Sequence, residues 1–244
     1  MKVSLLKYIS IVTLFGLATL SAADETKNSK AGFLDFNFYP YMSDVDNDNV
    51  FTVNIFSALP NRFSYFSLTN IGNQAETGEF SDTTTFYTEQ NLRWQVTQTS
   101  PIDLTIQHNM RSGDDNDRLR LGFRWRLNNT SFLEKAFKSI HLAYSINFHA
   151  IQIDDADADI HQMEHVFAMT FPYISDRLYL AGFADHTFGE DLAPGMPSNP
   201  VVGEAQLGFR LIDNFYAISE YRVNQYRRSD VNNLGVGIQY KMKW

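Results

Sequence analysis

Four arginines stand on alternate positions of the stretch DRLRLGFRWRLN: Arg118, Arg120, Arg124 and Arg126, with Gly122 at the step between them. A period of two puts them on one face of a β-strand, and Leu119, Leu121, Phe123, Trp125 and Leu127 on the other. A guanidinium is a permanent cation with five donors in a planar fork, so this ladder suits carboxylates, phosphates and other oxygen-rich groups. An arginine facing hydrocarbon costs about 2–4 kcal/mol at the membrane midplane. If the strand crosses a membrane, the ladder therefore faces a lumen.

The same reasoning assigns further faces. Glu89, Asn91, Arg93 and Gln95 oppose Leu92, Trp94 and Val96. Asp103, Thr105, Gln107 and Asn109 oppose Ile102, Leu104 and Ile106. Glu204, Gln206 and Arg210 oppose Leu207, Phe209 and Leu211, and Glu220, Arg222, Asn224 and Tyr226 share one face. The candidate lumen set is Arg93, Arg118, Arg120, Arg124, Arg126, Arg210, Arg222, Glu89, Glu204, Glu220, Tyr87 and Tyr226. Two readings follow. The charges pair with each other and fill the interior, or they line a water-filled, cation-rich constriction that selects solutes by charge and hydrogen bonding. Tyr39, Tyr41, Tyr87, Tyr216 and Tyr226 also alternate with polar residues. Inside a pore such rings could stack on sugars or nucleobases; at strand ends they would form interfacial girdles.

Other chemistry is sparse. The clusters SDVDNDN, GDDND and DDADAD could hold Ca²⁺ or Mg²⁺, but the first lacks the sixth-position glycine of an EF-hand loop and has Ile55 where the bidentate glutamate belongs. A solvated acidic surface is the expectation, with divalent bridging to lipopolysaccharide phosphates as the alternative. G-x-S-x-G, H-E-x-x-H and P-loop patterns are absent, so no catalytic residue, metal or cofactor is expected. His161 and His165 share a strand face about 13 Å apart, too far for one metal. An outer-membrane lipid hydrolase would need a Ser–His pair at the lipid boundary, for which His108, His149 and His186 are the histidines at hand. A structural or adhesive barrel with a closed lumen is a further alternative.

The elements that must carry these faces are strands of about ten residues separated by turn residues, the sign of a membrane barrel. Strands are predicted at 33–42, 48–58, 62–71, 83–96, 101–110, 117–127, 139–152, 160–171, 176–188, 200–212, 214–226 and 232–244. That is an all-β, closed antiparallel transmembrane β-barrel of about 12 strands. The connections give an independent check. Counted from the N-terminus, the odd ones contain sixteen of the chain's 28 acids, and the even ones only Glu134 and Asp213. A barrel with long outer loops and short periplasmic turns explains that parity; a soluble β-sandwich does not. Phe132–Phe137 reads as one helical turn on the periplasmic rim.

Residues 1–23 read as a secretory signal peptide: Lys2 and Lys7, an apolar run from Ile9 to Leu20, then Ser21-Ala22-Ala23. The barrel then occupies 24–244, with 24–31 as a periplasmic N-terminal segment. The formal net charge of -8 argues against a nucleic-acid polymer as partner, and the lack of cysteine excludes a disulfide scaffold. Leu234, Val236, Ile238, Tyr240, Met242 and Trp244 fall on one face of the last strand. That strand should pair with the first, near Phe33–Tyr41, and its aromatic end suits recognition by the barrel-assembly machinery. The expected address is the outer membrane of a Gram-negative cell, in contact with lipid and lipopolysaccharide.

The segment TFPYISDRLYLAGFADHTFGEDL resembles the nucleoside-specific channel-forming outer-membrane porin family (Tsx-type), in which a strand ends in a P-I-(S/T)-D turn. A strand with Gly-Phe near its middle and an acidic loop follow. Only three tryptophans depart from that family's pattern. The resemblance implies diffusion of nucleosides or similar small polar solutes through a narrow lumen and transfers no binding residue. Passive, substrate-selective diffusion of a small polar solute is the expected function.

Overall fold

The computed structural model describes residues 31–42, 50–73, 83–112, 117–153, 160–190, 192–228 and 230–244. Its twelve strands are β1 (Gly32–Met42), β2 (Val50–Ala58), β3 (Phe63–Asn73), β4 (Thr83–Gln95), β5 (Ile102–Arg111), β6 (Arg118–Arg126), β7 (Leu142–Ile153), β8 (His161–Phe171), β9 (Ser175–Phe188), β10 (Val201–Ile212), β11 (Phe215–Asn224) and β12 (Asn232–Lys243). Each pairs antiparallel with its neighbours in sequence, and β1 pairs with β12, so the sheet is a closed barrel. The strands fall within a few residues of the sequence expectation. One consequence is that Tyr226 lies in the connection beyond β11, not in the strand.

The barrel is inside-out relative to a water-soluble domain. Asn91, Gln107 and Asn147 are fully buried in its interior, whereas Leu104, Ile151 and Ile238 on the outer face are half exposed at 51%, 56% and 53%. Strand alternation produces this directly, because successive side chains point to opposite faces of the wall. Of the predicted acidic connections 43–49, 71–82, 110–117 and 154–159, residues 43–49, 74–82, 113–116 and 154–159 lie outside the described residues, as do residues 1–30, which include the predicted signal peptide. The antiparallel order nevertheless places all odd connections at one end, the loop end, and the even ones with both chain termini at the other, the terminal end.

Short connections close the terminal end. Asp213-Asn214 is a two-residue turn in which Asn214 adopts φ 65°, a left-handed conformation that asparagine tolerates well. The expected helical turn is α1 (Glu134–Ser139), preceded by a 3-10 turn at Leu127–Asn129. Phe132, Tyr173, Ile174, Ile212 and Trp244 project from this rim, as interfacial anchors do.

The seam between β1 and β12 runs from Phe33↔Lys243 to Met42↔Gly235, with a register shift between Phe38 and Tyr41. Its last rung is double: Gly32 N donates to Trp244 O at 3.0 Å and Trp244 N to Gly32 O at 3.1 Å. The indole lies over Gly32, where a Cβ would meet two of its ring carbons at 2.5 Å. Gly32→Val should therefore destabilise the barrel by about 1–3 kcal/mol through overpacking, read as a lower urea midpoint in lipid vesicles. Deleting Trp244 should reduce the fraction that inserts and acquires heat-modifiable gel mobility. Normal insertion of that truncation would refute a sealing role for the last residue.

Candidate functional site: the lumen

One cavity of about 1040 Å³ occupies the barrel interior. All twelve side chains singled out from sequence border it. Their levels follow from position along each strand. Arg93, Arg124, Arg126 and Arg210 stand near the terminal end, joined by Lys241 and Lys243 of β12. Glu89, Glu220 and Arg120 stand at middle levels, and Tyr87, Glu204, Arg222 and Arg118 above them toward the loop end. Tyr226 stands at the loop-end mouth itself.

At the terminal end the ladder is anchored by Asp103. Its Oδ2 accepts from Arg124 Nε at 2.6 Å and Nη2 at 2.5 Å, and its Oδ1 lies 3.2 Å from Arg126 Nη2. Arg126 also donates to the Ser100 carbonyl at 2.7 Å. The strand register places these groups together, because Asp103 pairs directly with Arg124. On the opposite wall Lys241 Nζ stands 3.2 Å from Asp35, whose other oxygen accepts from Asn37 and Asn54.

At middle level the partners of Arg120 are neutral. Arg120 donates to Gln152 at 2.8 Å and Gln107 at 3.0 Å. Glu89 accepts from Asn91 at 2.6 Å and from the Tyr87 hydroxyl at 3.2 Å. Glu164 accepts from Asn147 and lies 3.7 Å from His149 Nε2.

The wall from β9 round to β1 carries a second network. The Tyr179 hydroxyl lies 2.6 Å from Gln206 and 2.7 Å from Gln239. Gln206 donates onward to Asn37 and Tyr39, and Tyr39 bonds Glu220. Arg222 is held by Glu220 at 2.5 Å and Glu204 at 3.4 Å, and its guanidinium lies 5.4 Å from the Tyr39 ring centre. Gly208 provides the floor for Tyr179, whose ring would stand 2.1 Å from a Cβ there.

At the loop-end mouth Glu190, in the β9–β10 connection, receives the Tyr226 hydroxyl at 2.7 Å and Arg118 at 3.3 Å. It thereby ties β6 to the far side of the barrel. Burial and the Glu190 carboxylate push the Tyr226 hydroxyl up to about 12.

Among the described residues the lining holds twelve Arg or Lys and eight Asp or Glu, with Asp103 just behind. The lining formed by the described residues is thus cationic although the net charge of the chain is negative. Sequence reasoning missed Glu164, Asp185, Glu190, Tyr179 and Lys241. Of the tyrosines, Tyr39 is buried in the wall, Tyr87 and Tyr216 line the cavity, and the Tyr41 side chain lies outside the described set. No group of metal-ligating side chains occurs among the described residues. His165 faces outward and bonds the Tyr144 hydroxyl at 2.7 Å, while His186 packs on Phe188.

No family model and no curated protein matches the sequence. Solved structures do. The NanC porin superposes with a TM-score of 0.54 at 10% identity, covering 86% of this chain and 100% of that one. The KdgM porin gives 0.50 at 13% identity, covering 85% and 98%. Outer membrane phospholipase A from Escherichia coli gives 0.50 at 9% identity, covering 90% and 94%. The barrel fold is shared. Since porins and a lipid hydrolase both use it, the fold leaves function to the site.

Breaking the Asp103 knot separates its two possible values. Asp103→Asn removes the carboxylate that two guanidiniums share and should cost about 3–5 kcal/mol. Asp103→Leu combined with Arg124→Met should recover most of that loss. Urea midpoints of refolded barrels measure both; an unchanged midpoint in Asp103→Asn would mean that water already compensates the arginines.

Proposed function

We propose that this barrel is an outer-membrane channel for passive diffusion of small polar solutes, with anions favoured over cations. The observation that carries the reading is the cationic lining, among the described residues, of the internal cavity in a chain whose net charge is negative. The apolar exterior, the closed hydrogen-bond ladder and the porin-like fold support the location, and the signal-like sequence of residues 1–23 supports export. Twelve strands make a narrow lumen, well below the 16–18 strands of wide aqueous channels. Selection by charge and hydrogen bonding at close quarters is what such a width allows.

Nucleosides are the finer reading, implied by the sequence resemblance and favoured by Tyr87, Tyr216 and Tyr226 on the lumen surface. Against easy stacking, Tyr216 is already packed edge-on against Tyr179 at 5.6 Å. Against a lipid hydrolase, no serine hydroxyl is hydrogen-bonded to an outward histidine among the described residues: His165 and His186 contact Tyr144 and Phe188, and His108 bonds neither Ser67 nor Gln90.

Planar-bilayer recording tests the reading. In a salt gradient the reversal potential should show anion preference, and Arg120→Ala and Arg124→Ala should each shift it toward cations. Added nucleosides should reduce the conductance if the finer reading holds. Absence of conductance, or selectivity unmoved by both substitutions, would overturn the channel and leave the ladder as wall structure.

A further inference from the structure

The outer face is aliphatic or aromatic round most of its circumference, with Ser219 and the Tyr144-bonded His165 as isolated exceptions and His161, His186 and Asn232 near the loop end. On β3, β4 and β5 it is not. Ser67, Thr69, Thr88, Gln90 and His108 all point outward at mid-depth, on the face opposite to Leu68, Glu89 and Asn109. Ser67 and Thr88 are nearly buried by their neighbours. Thr69 and Thr88 hydroxyls are 2.9 Å apart, and Thr88 also donates to the Leu68 carbonyl at 3.0 Å. Gln90 Nε2 donates to Ser67 at 2.8 Å and to Thr88 at 2.7 Å.

Two groups have bonding capacity to spare. Both amide protons of Gln90 are used within the cluster, and its Oε1 has only the Tyr65 hydroxyl at 3.4 Å. His108 stands directly opposite Gln90 in the β4–β5 register, and its ring makes no hydrogen bond with any described residue. An amide acceptor and an imidazole donor therefore lie side by side, about 4.8 Å apart across the strands. At mid-depth neither water nor a lipid headgroup reaches them, and hydrocarbon gives them no partner.

We propose that this patch is where a second copy of the chain docks, about a two-fold axis along the membrane normal. Gln90 Oε1 of each copy accepts from His108 of the other. A two-fold contact requires a surface complementary to itself. One acceptor with a lone pair to spare beside one donor without a bond among the described residues, in the same row, is that pattern. The patch carries no Asp, Glu, Lys or Arg that would oppose its own copy. Leu92, Ile106, Leu121 and the Tyr65 ring surround it with apolar packing surface. The proposal rests on the membrane location but not on channel activity, so loss of conductance would leave it standing.

The chain has no cysteine, which makes cross-linking clean. Ile106→Cys, below His108 on the same face, should yield an oxidised dimer at twice the chain mass in intact membranes. Ile238→Cys, at similar depth on the far side, should yield little. Adding Gln90→Leu and His108→Leu to Ile106→Cys should lower the dimer fraction several-fold. Retained heat-modifiable mobility checks that this variant still folds. Equal cross-linking at both positions, a monomer throughout, or a product with a chain of different mass would each overturn the second copy as occupant. A dimer fraction unmoved by the double substitution would overturn the Gln90–His108 contact.

Discussion

A backbone in hydrocarbon has no water to fall back on, so every N–H and C=O must find a partner within the protein. The closed ladder of this chain follows from that demand. An open sheet would leave β1 and β12 with unpaired edges. Their pairing removes both, and the alternation of side chains then sorts the sequence into an apolar exterior and a polar interior. Which residues line the cavity and which face outward is thus fixed by the backbone before any side-chain contact is made.

Within that frame the interior charges divide the work. Near the terminal end, Asp103 neutralises part of a cluster that would otherwise repel itself, while Lys241 and Arg210 have carboxylates of their own. At middle levels Arg120 is held by amides, which orient the guanidinium without cancelling its charge. The β9–β1 wall is stiffened by tyrosine and glutamine bonds that skip across strands. A wall can therefore be structurally satisfied and still present a net positive surface to the cavity, so the two readings of the arginine ladder are compatible.

Much of this was legible in the sequence because most strands keep a strict period of two. DRLRLGFRWRLN and GVGIQYKMKW show their faces without ambiguity. β8 does not: in HQMEHVFAMTF the inward positions pass from Gln162 and Glu164 to Val166 and Ala168, while His161 and His165 face outward. Polar and apolar residues share both faces, so Glu164 escaped notice. Glu190 was invisible for another reason, since a connection carries no alternation to read and only the folded chain places it against Arg118. The outward polar patch hid similarly: Ser67 and Thr88 are small, and Gln90 breaks the pattern of β4 only once Leu92 and Trp94 are known to share its face.

The double rung between Gly32 and Trp244 bears on time as well as shape. It joins residues at opposite ends of the described chain, the most non-local contact available, and such contacts are slow to form because loop entropy is lost before they give anything back. Every other pairing is between strands adjacent in sequence and can zip locally. Until the final residue is in hand the sheet has two sticky edges and no inside. Closure therefore waits on β12, and a chain cut short by that strand is a template for aggregation rather than a slightly smaller barrel.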